Sequence, residues 1–198
     1  RLARAWRGGK GVREGQVLLH LGAAGVRVPR VLGWSDEGTD VLVLEEIPGL
    51  LPVPPGAEVG DDLAVAIARL LGRAFRAGLR HPDLHPGNLA LTGGEPVLVD
   101  LGRARIVRGT RGLVREAARL QVALAHDLRR SLRLRAFLAW LSEAQGRPPS
   151  GARLRALVRR VARRARRIAA RYRRGRDRRA TRTGHHFEVL RPSGGGSV

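Results

Sequence analysis

Asp83 and Asn88 lie five residues apart in His81-Pro82-Asp83-Leu84-His85-Pro86-Gly87-Asn88, and Asp100 follows in Val99-Asp100-Leu101-Gly102. One loop can aim the first carboxylate and the carboxamide at a common point, and a carboxylate at the end of the next strand can join them. Phosphoryl transfer needs such parts: an aspartate to accept or orient the proton of an attacking hydroxyl, and an Asn and a second aspartate to hold magnesium ions that bridge nucleotide phosphates. Magnesium is a hard ion that takes oxygen ligands, so carboxylate plus amide oxygen is chemically apt. The plainer reading is three loop polars that cap turns. The spacing, the flanking apolar runs and the Pro-Gly pair favour the chemical one. His81 reads as a brace for the loop through hydrogen bonds. His85 is open between packing and phosphate contact.

The elements that must position this set follow from the pattern around it. Residues 12–24 read as a helix with Val17, Leu18 and Leu21 on one side. Val26 to Leu32 is a proline-punctuated extended stretch, and Val41 to Glu45 is an apolar, Val-rich run that reads as a buried strand ending at Pro48-Gly49. Residues 50–60, with Pro52, Pro54 and Pro55, read as a loop. A helix is expected after Asp61 as N-cap, with Leu63, Ile67, Leu70, Leu71, Ala74 and Phe75 on its core face, ending near Gly78. Two short strands, Leu89 to Leu91 and Val97 to Val99, flank a Gly93-Gly94 turn. Helical patterns cover 113–127, 131–145 and 152–174, and Pro192 to Val198 is Gly/Ser-rich.

Composition bounds the rest. The 198 residues suit one domain or a domain plus a tail. Aromatic content is 4%, so the core must rest on Leu, Val, Ile and Ala. The absence of cysteine excludes disulfides and thiolate metal sites. No run of apolar residues is long enough to read as a transmembrane helix, and no secretory signal opens the chain. There is no methionine, so the chain is expected to be trimmed or a fragment. The net charge of +21 is concentrated in an arginine block from Arg153 to Arg182 opposed only by Asp177. Such a block seeks phosphate on lipid, glycan or nucleic acid. Leu154, Leu157, Val158, Val161, Ala165 and Ile168 fall at helical spacing within it, leaving an arginine face that includes Arg159, Arg163, Arg166 and Arg167. A basic amphipathic helix reads as membrane-surface binding. The same helix can also lay its apolar stripe on the rest of the fold. Nucleic acid has thinner support, because only Tyr172 and Phe187 interleave with the arginines. His185-His186 lacks a third ligand and reads as a solvated pair.

On Asp83, Asn88, Asp100 and the order of elements around them, residues 12–145 resemble the protein-kinase-like superfamily. The His-Pro-Asp-Leu-His-Pro-Gly-Asn form, with His85 two residues past the aspartate, is similar to its small-molecule branch. That branch includes aminoglycoside and choline kinases and the lipopolysaccharide core kinases acting on Kdo or heptose. The family's Asp-Phe-Gly stands here as Asp100-Leu101-Gly102, a departure that leaves the metal ligand intact. The resemblance implies Asp83 as the catalytic aspartate, Asn88 and Asp100 as magnesium ligands, and Glu14 as the helix glutamate that pairs with an ATP-holding lysine. It also implies adenine contacts by the Glu45 carbonyl and Ile47 amide, with Leu44 at the back of the pocket. A Gly-rich loop and a strand lysine are not found. Lys10, four residues before Glu14 in Gly8-Gly9-Lys10-Gly11, reads as a poor substitute.

The expected fold is therefore α+β and protein-kinase-like. An N-terminally truncated small lobe spans 1–49, a mainly helical C-lobe 50–150, a basic helix 151–183 and a loose tail 184–198. The expected activity is ATP- and Mg2+-dependent phosphorylation of a sugar hydroxyl of lipopolysaccharide core. The chain would act on a glycolipid or small-molecule acceptor, peripherally on the cytoplasmic face of a bacterial inner membrane. The alternatives are an aminoglycoside-, choline- or protein-type kinase, and an inactive kinase-like module that binds membrane or RNA.

Overall fold

The computed structural model describes residues 9–35, 40–53, 59–82, 84–109, 112–123, 128–148 and 151–180. In chain order these form α1 (Lys10–Ala23), β1 (Val31–Ser35), β2 (Val41–Leu44), β3 (Leu51–Pro52), α2 (Asp61–Arg76), β4 (Leu79–Arg80), β5 (Leu89–Thr92), β6 (Glu95–Leu98), β7 (Arg105–Ile106), α3 (Leu113–Ala123), α4 (Arg130–Gln145) and α5 (Gly151–Ala180). A single 3-10 turn, Pro86–Asn88, precedes β5.

α1 and the antiparallel β1–β2 pair form one small layer. Gly15 lets them approach, since a Cβ there would lie 3.1 Å from Leu42 and 3.2 Å from Trp34. α1 has no side-chain cap of its own. Asp40, just before β2, supplies one by accepting from the Gly11 amide at 2.7 Å. A carboxylate there also complements the positive end of the helix dipole. The apolar run at Val41 to Leu44 is a strand, but not the buried one its composition suggests. Val43 is 48% and Leu44 36% exposed. The cause is topological: among the described residues β2 pairs only with β1, so one face of a two-stranded sheet meets α1 and the other meets solvent.

The larger layer is helical. α2 and α4 lie against each other through Ala68, Leu71, Phe75, Phe137, Trp140 and Leu141, and α3 brings Ala117 and Ala118 to the same core. The rings of Phe75 and Trp140 meet at 5.3 Å with a 53° tilt, a tilted geometry that aromatic quadrupoles favour. Leu98 and Leu101 join this core from the sheet side, and Val17, Leu18 and Leu21 join it from α1. The expected N-cap at Asp61 is not one. Gly60 is the N-cap, and Asp61 opens the helix. Its carboxylate instead accepts from Arg129 and Arg135 at 3.3 and 2.8 Å, tying α2 to α4.

The loop expected over 50–60 contains β3, whose Leu51 and Pro52 pair with Leu91 and Ala90 on the edge of a three-stranded sheet ordered β3-β5-β6. A proline is tolerated there because an edge strand need not use every amide. The β5–β6 hairpin around Gly93-Gly94 forms as the sequence indicates. α5 begins at Gly151 and runs to Ala180, beyond the expected 174. Its Val161 is buried in the main core, while Leu154, Leu157, Ala165 and Ile168 pack against it.

Gly72 is the tightest contact between α2 and α4. A Cβ there would lie 2.5 Å from the Trp140 carbonyl oxygen and 2.7 Å from Glu143 Cβ. Gly72→Val is expected to lower the unfolding free energy by about 1–3 kcal/mol through overpacking. Gly33→Ala, whose Cβ would meet nothing within 4 Å, serves as the neutral comparison in the same urea titration.

Candidate functional site

The segment from His81 to Asn88 leaves the core at the end of β4 and returns at β5. Its base is fixed by Arg80, which is buried and donates to the carbonyls of Phe75 (3.1 Å), Leu79 (2.7 Å) and Gly109 (2.9 Å). The guanidinium carbon also stands 3.8 Å from the centre of the Phe75 ring. Burial lowers the Arg80 pKa from its ordinary value, and the Glu116 carboxylate opposes that shift. The β4–β7 pair that carries Arg80 had no signal in the sequence. His81 is buried, and its carbonyl accepts from Arg119 at 3.2 Å. Arg119 is in turn bonded to Glu116 on the preceding turn of α3.

Asp83 lies outside the described residues. Beyond it, the exposed His85 folds its Nδ1 back to accept from the Gly87 amide at 3.0 Å. Asn88 is 2% exposed. Its Oδ1 accepts from the His85 amide at 3.0 Å, and its Nδ2 donates to the Asp100 carbonyl at 3.3 Å. Asn88 thus closes the loop on itself and joins it to the Asp100 turn. Asp100 is the one non-glycine residue with positive φ among the described residues, at 50°. Aspartate tolerates this region better than bulkier residues do. The conformation leaves the Asp100 side chain exposed and sends Leu101 into the core.

Glu14 reaches the same turn from α1. Its Oε1 accepts from the Leu101 amide at 2.8 Å. Lys10 comes with it: a Cβ on Gly102 would lie 2.5 Å from Lys10 Cε, 3.3 Å from Lys10 Nζ and 2.9 Å from Glu14 Oε2. Lys10, read from sequence as a poor candidate, therefore stands at the Asp100–Gly102 turn. The signal that could have found it is its spacing of four from Glu14, which places both on one face once the helix starts at Lys10 rather than Val12. Gly102 admits this approach because it has no side chain.

Glu14, Asn88 and Asp100 are thus brought together. Leu44, Glu45 and Ile47 are held separately, in the segment that leads from β2 toward β3. The Glu45 amide donates to the Arg30 carbonyl at 2.9 Å, and the Pro48 carbonyl accepts from Thr92 Oγ1 at 3.1 Å. Among the described residues no hydrogen bond joins this segment to the Asp100 turn. The Arg30–Glu45 ion pair at 3.9 Å is exposed and adds little. Arg159, Arg163, Arg166 and Arg167 are exposed along α5. His185-His186 lies outside the described residues.

A small helical-and-strand layer, a larger helical layer, and a polar loop and turn between them make a protein-kinase-like fold. The chain superposes on WaaP, solved in complex with acyl carrier protein, with a TM-score of 0.55, covering 77% of this chain and 74% of that one at 21% identity. Two structures of WbdD, a bifunctional kinase-methyltransferase, align over 79% and 78% of this chain at 16% identity, with TM-scores of 0.47 and 0.44. They cover 40% and 41% of those chains, and the fold assignment rests on WaaP. In sequence, 93 residues are 32% identical to a probable bifunctional tRNA threonylcarbamoyladenosine biosynthesis protein of Methanothermobacter thermautotrophicus. That match covers 47% of this chain, which spans only 17% of that relative. No protein-family profile matches the chain.

Asn88→Ala removes both side-chain bonds and leaves the His85 amide and the Asp100 carbonyl without them. It is expected to cost about 1–3 kcal/mol of stability, read by chemical denaturation. It should also speed amide exchange at His85 relative to amides in α4.

Proposed function

We propose that the chain is the catalytic part of an ATP-dependent phosphotransferase acting on a sugar hydroxyl of lipopolysaccharide core, Kdo or heptose. The observation that carries the reading is the Asn88–Asp100 bond, which holds the Pro86–Asn88 turn against the Asp100 turn within a protein-kinase-like fold. Asp83 accepts the proton of the acceptor hydroxyl, or orients it for attack. The hydroxyl oxygen bonds the γ-phosphorus, the bond to the β–γ bridging oxygen breaks, and ADP leaves.

The donors present fit magnesium. Asp100 offers an exposed carboxylate, and Asn88 Oδ1, already accepting one hydrogen bond, retains a second lone pair. These two would hold the metal, which supplies positive charge beside the nucleotide phosphates. Glu14 fixes the height of the turn through the Leu101 amide, and Lys10 adds a cation at Gly102. Leu44, Glu45 and Ile47 form the adenine side, and His81 and His85 support the loop.

Arg159, Arg163, Arg166 and Arg167 would meet an anionic membrane surface, each contributing roughly 1 kcal/mol near such a surface. Through these exposed arginines the chain would attach peripherally to the inner face of a bacterial inner membrane. Among the described residues no helix is long and apolar enough to cross a membrane. An aminoglycoside-, choline- or protein-type acceptor is the alternative within the same chemistry.

A second reading is favoured by the sequence match to a tRNA-modification protein together with the charge of +21. It makes the chain an RNA-directed kinase-like module. RNA binding with a steep salt dependence and no transfer to a Kdo or heptose glycolipid would establish it over the first.

Radiolabelled γ-phosphate transfer to a lipid A–Kdo acceptor tests the proposal. Asp83→Ala and Asp100→Ala should each lower transfer by about a hundredfold or more while leaving the melting temperature near wild type. Asp100→Ala should also abolish the magnesium dependence of nucleotide binding. Near-normal transfer in either variant would sink the assignment.

A further inference from the structure

A groove of about 1370 Å³ opens between α4 and α5 over the end of α3. Phe137 and Val161, both buried, lie at its base. Leu134 (53% exposed), Val158 and Tyr172 (55% exposed) form its apolar walls. Ala162, Ala165 and Ala169 leave room where larger side chains would close it. From Val158 to Tyr172 the wall runs about 21 Å at the rise of an α-helix. Soluble monomers rarely expose so continuous an apolar surface without a use for it.

The rim of the groove is cationic. Arg130, Arg133, Arg166 and Arg173 border the groove, and no carboxylate lines it among the described residues. Arg133 Nε is buried with no hydrogen-bond partner among the described residues. A buried guanidinium nitrogen without a partner carries a desolvation cost that an anion would relieve. Neither feature is used by the Asp83–Asp100 site.

We propose that this groove holds one acyl chain of an anionic membrane phospholipid, with the arginine rim gripping the headgroup phosphate. An apolar trough bordered by cations and free of acid matches the two ends of such a lipid. It matches a basic peptide or a neutral lipid poorly. The inference deepens the membrane reading above. A surface held by charge alone releases in salt, whereas a chain in the groove adds an anchor that salt does not screen.

The test is vesicle co-sedimentation of the full chain, using phosphatidylcholine with and without phosphatidylglycerol, at low and high salt. Two groove variants are compared, Ala165→Trp to fill the trough and Leu134→Ser to make its exposed wall polar. The second lies at a residue 53% exposed and outside the core cluster, and it guards against misfolding of the first. The expected result is salt-resistant binding to phosphatidylglycerol vesicles that falls about tenfold in both variants, with low-salt binding largely kept. The double variant Arg159→Glu/Arg163→Glu, outside the groove lining, should lose low-salt binding instead. Wild-type salt-resistant binding in both groove variants would overturn the proposal. So would equal binding to pure phosphatidylcholine, or capture by RNA but not by vesicles. Magnesium-dependent nucleotide binding is measured alongside and reports on the phosphotransfer reading alone.

Discussion

The hydrogen bond from the Leu101 amide to the Glu14 carboxylate, 2.8 Å long and spanning 87 positions of sequence, is the constraint on which the site depends. It joins the two layers at the point where Asp100 turns with φ of 50°. A left-handed residue costs roughly 1 kcal/mol for a side chain other than glycine, so the surroundings must hold it. Three contacts do so: Glu14 on the amide after it, Asn88 on its own carbonyl, and the burial of Leu101 behind it. Together they leave the Asp100 carboxylate free of the core and fix where it stands.

Each of those contacts has its own support. Glu14 can reach Leu101 only if α1 is held. Asp40 at its N-terminus and the His20–Ala77 hydrogen bond of 2.7 Å near its C-terminus hold it, along with Gly15 against Trp34 and Leu42. Asn88 can reach Asp100 only if its loop is held. Arg80 fixes that loop's base by three backbone carbonyls, and Arg119 fixes it again at His81. Arg80 and Arg119 therefore serve structure, their charge offset by carbonyl dipoles, the Phe75 ring and Glu116. The α5 arginines from Arg153 to Arg174 are instead exposed.

The loop, the hairpin and the five α-helices among the described residues were legible in sequence because each carries a local signal: fixed motif spacing, a Gly-Gly turn, or an apolar stripe at helical period. β3, β4 and β7 were not, because pairs only two residues long are made by tertiary contact and leave no periodicity. The burial of β2 was misjudged because composition reports an apolar run and not the number of neighbouring strands. The Asp61 cap was misassigned because Gly60 took the N-cap position and a distant arginine pair claimed the carboxylate. The position of Lys10 beside Gly102 was not foreseen because it depends on where α1 starts, a boundary two residues from the one the pattern suggests. Asn88 was chosen for its amide oxygen, while its amide nitrogen, which joins loop to turn, had no sequence signal.

We propose that a magnesium nucleotide meets the chain at the Asp100 turn clamped by Glu14 and Asn88. Residue-resolved amide hydrogen exchange, with and without magnesium and a non-hydrolysable ATP analogue, tests it most directly. Exchange at Asp100, Leu101 and Asn88 should slow when both are added and stay unchanged with either alone, with amides in α4 unaffected throughout. Unchanged exchange at the turn while protection rises elsewhere in the chain would contradict it.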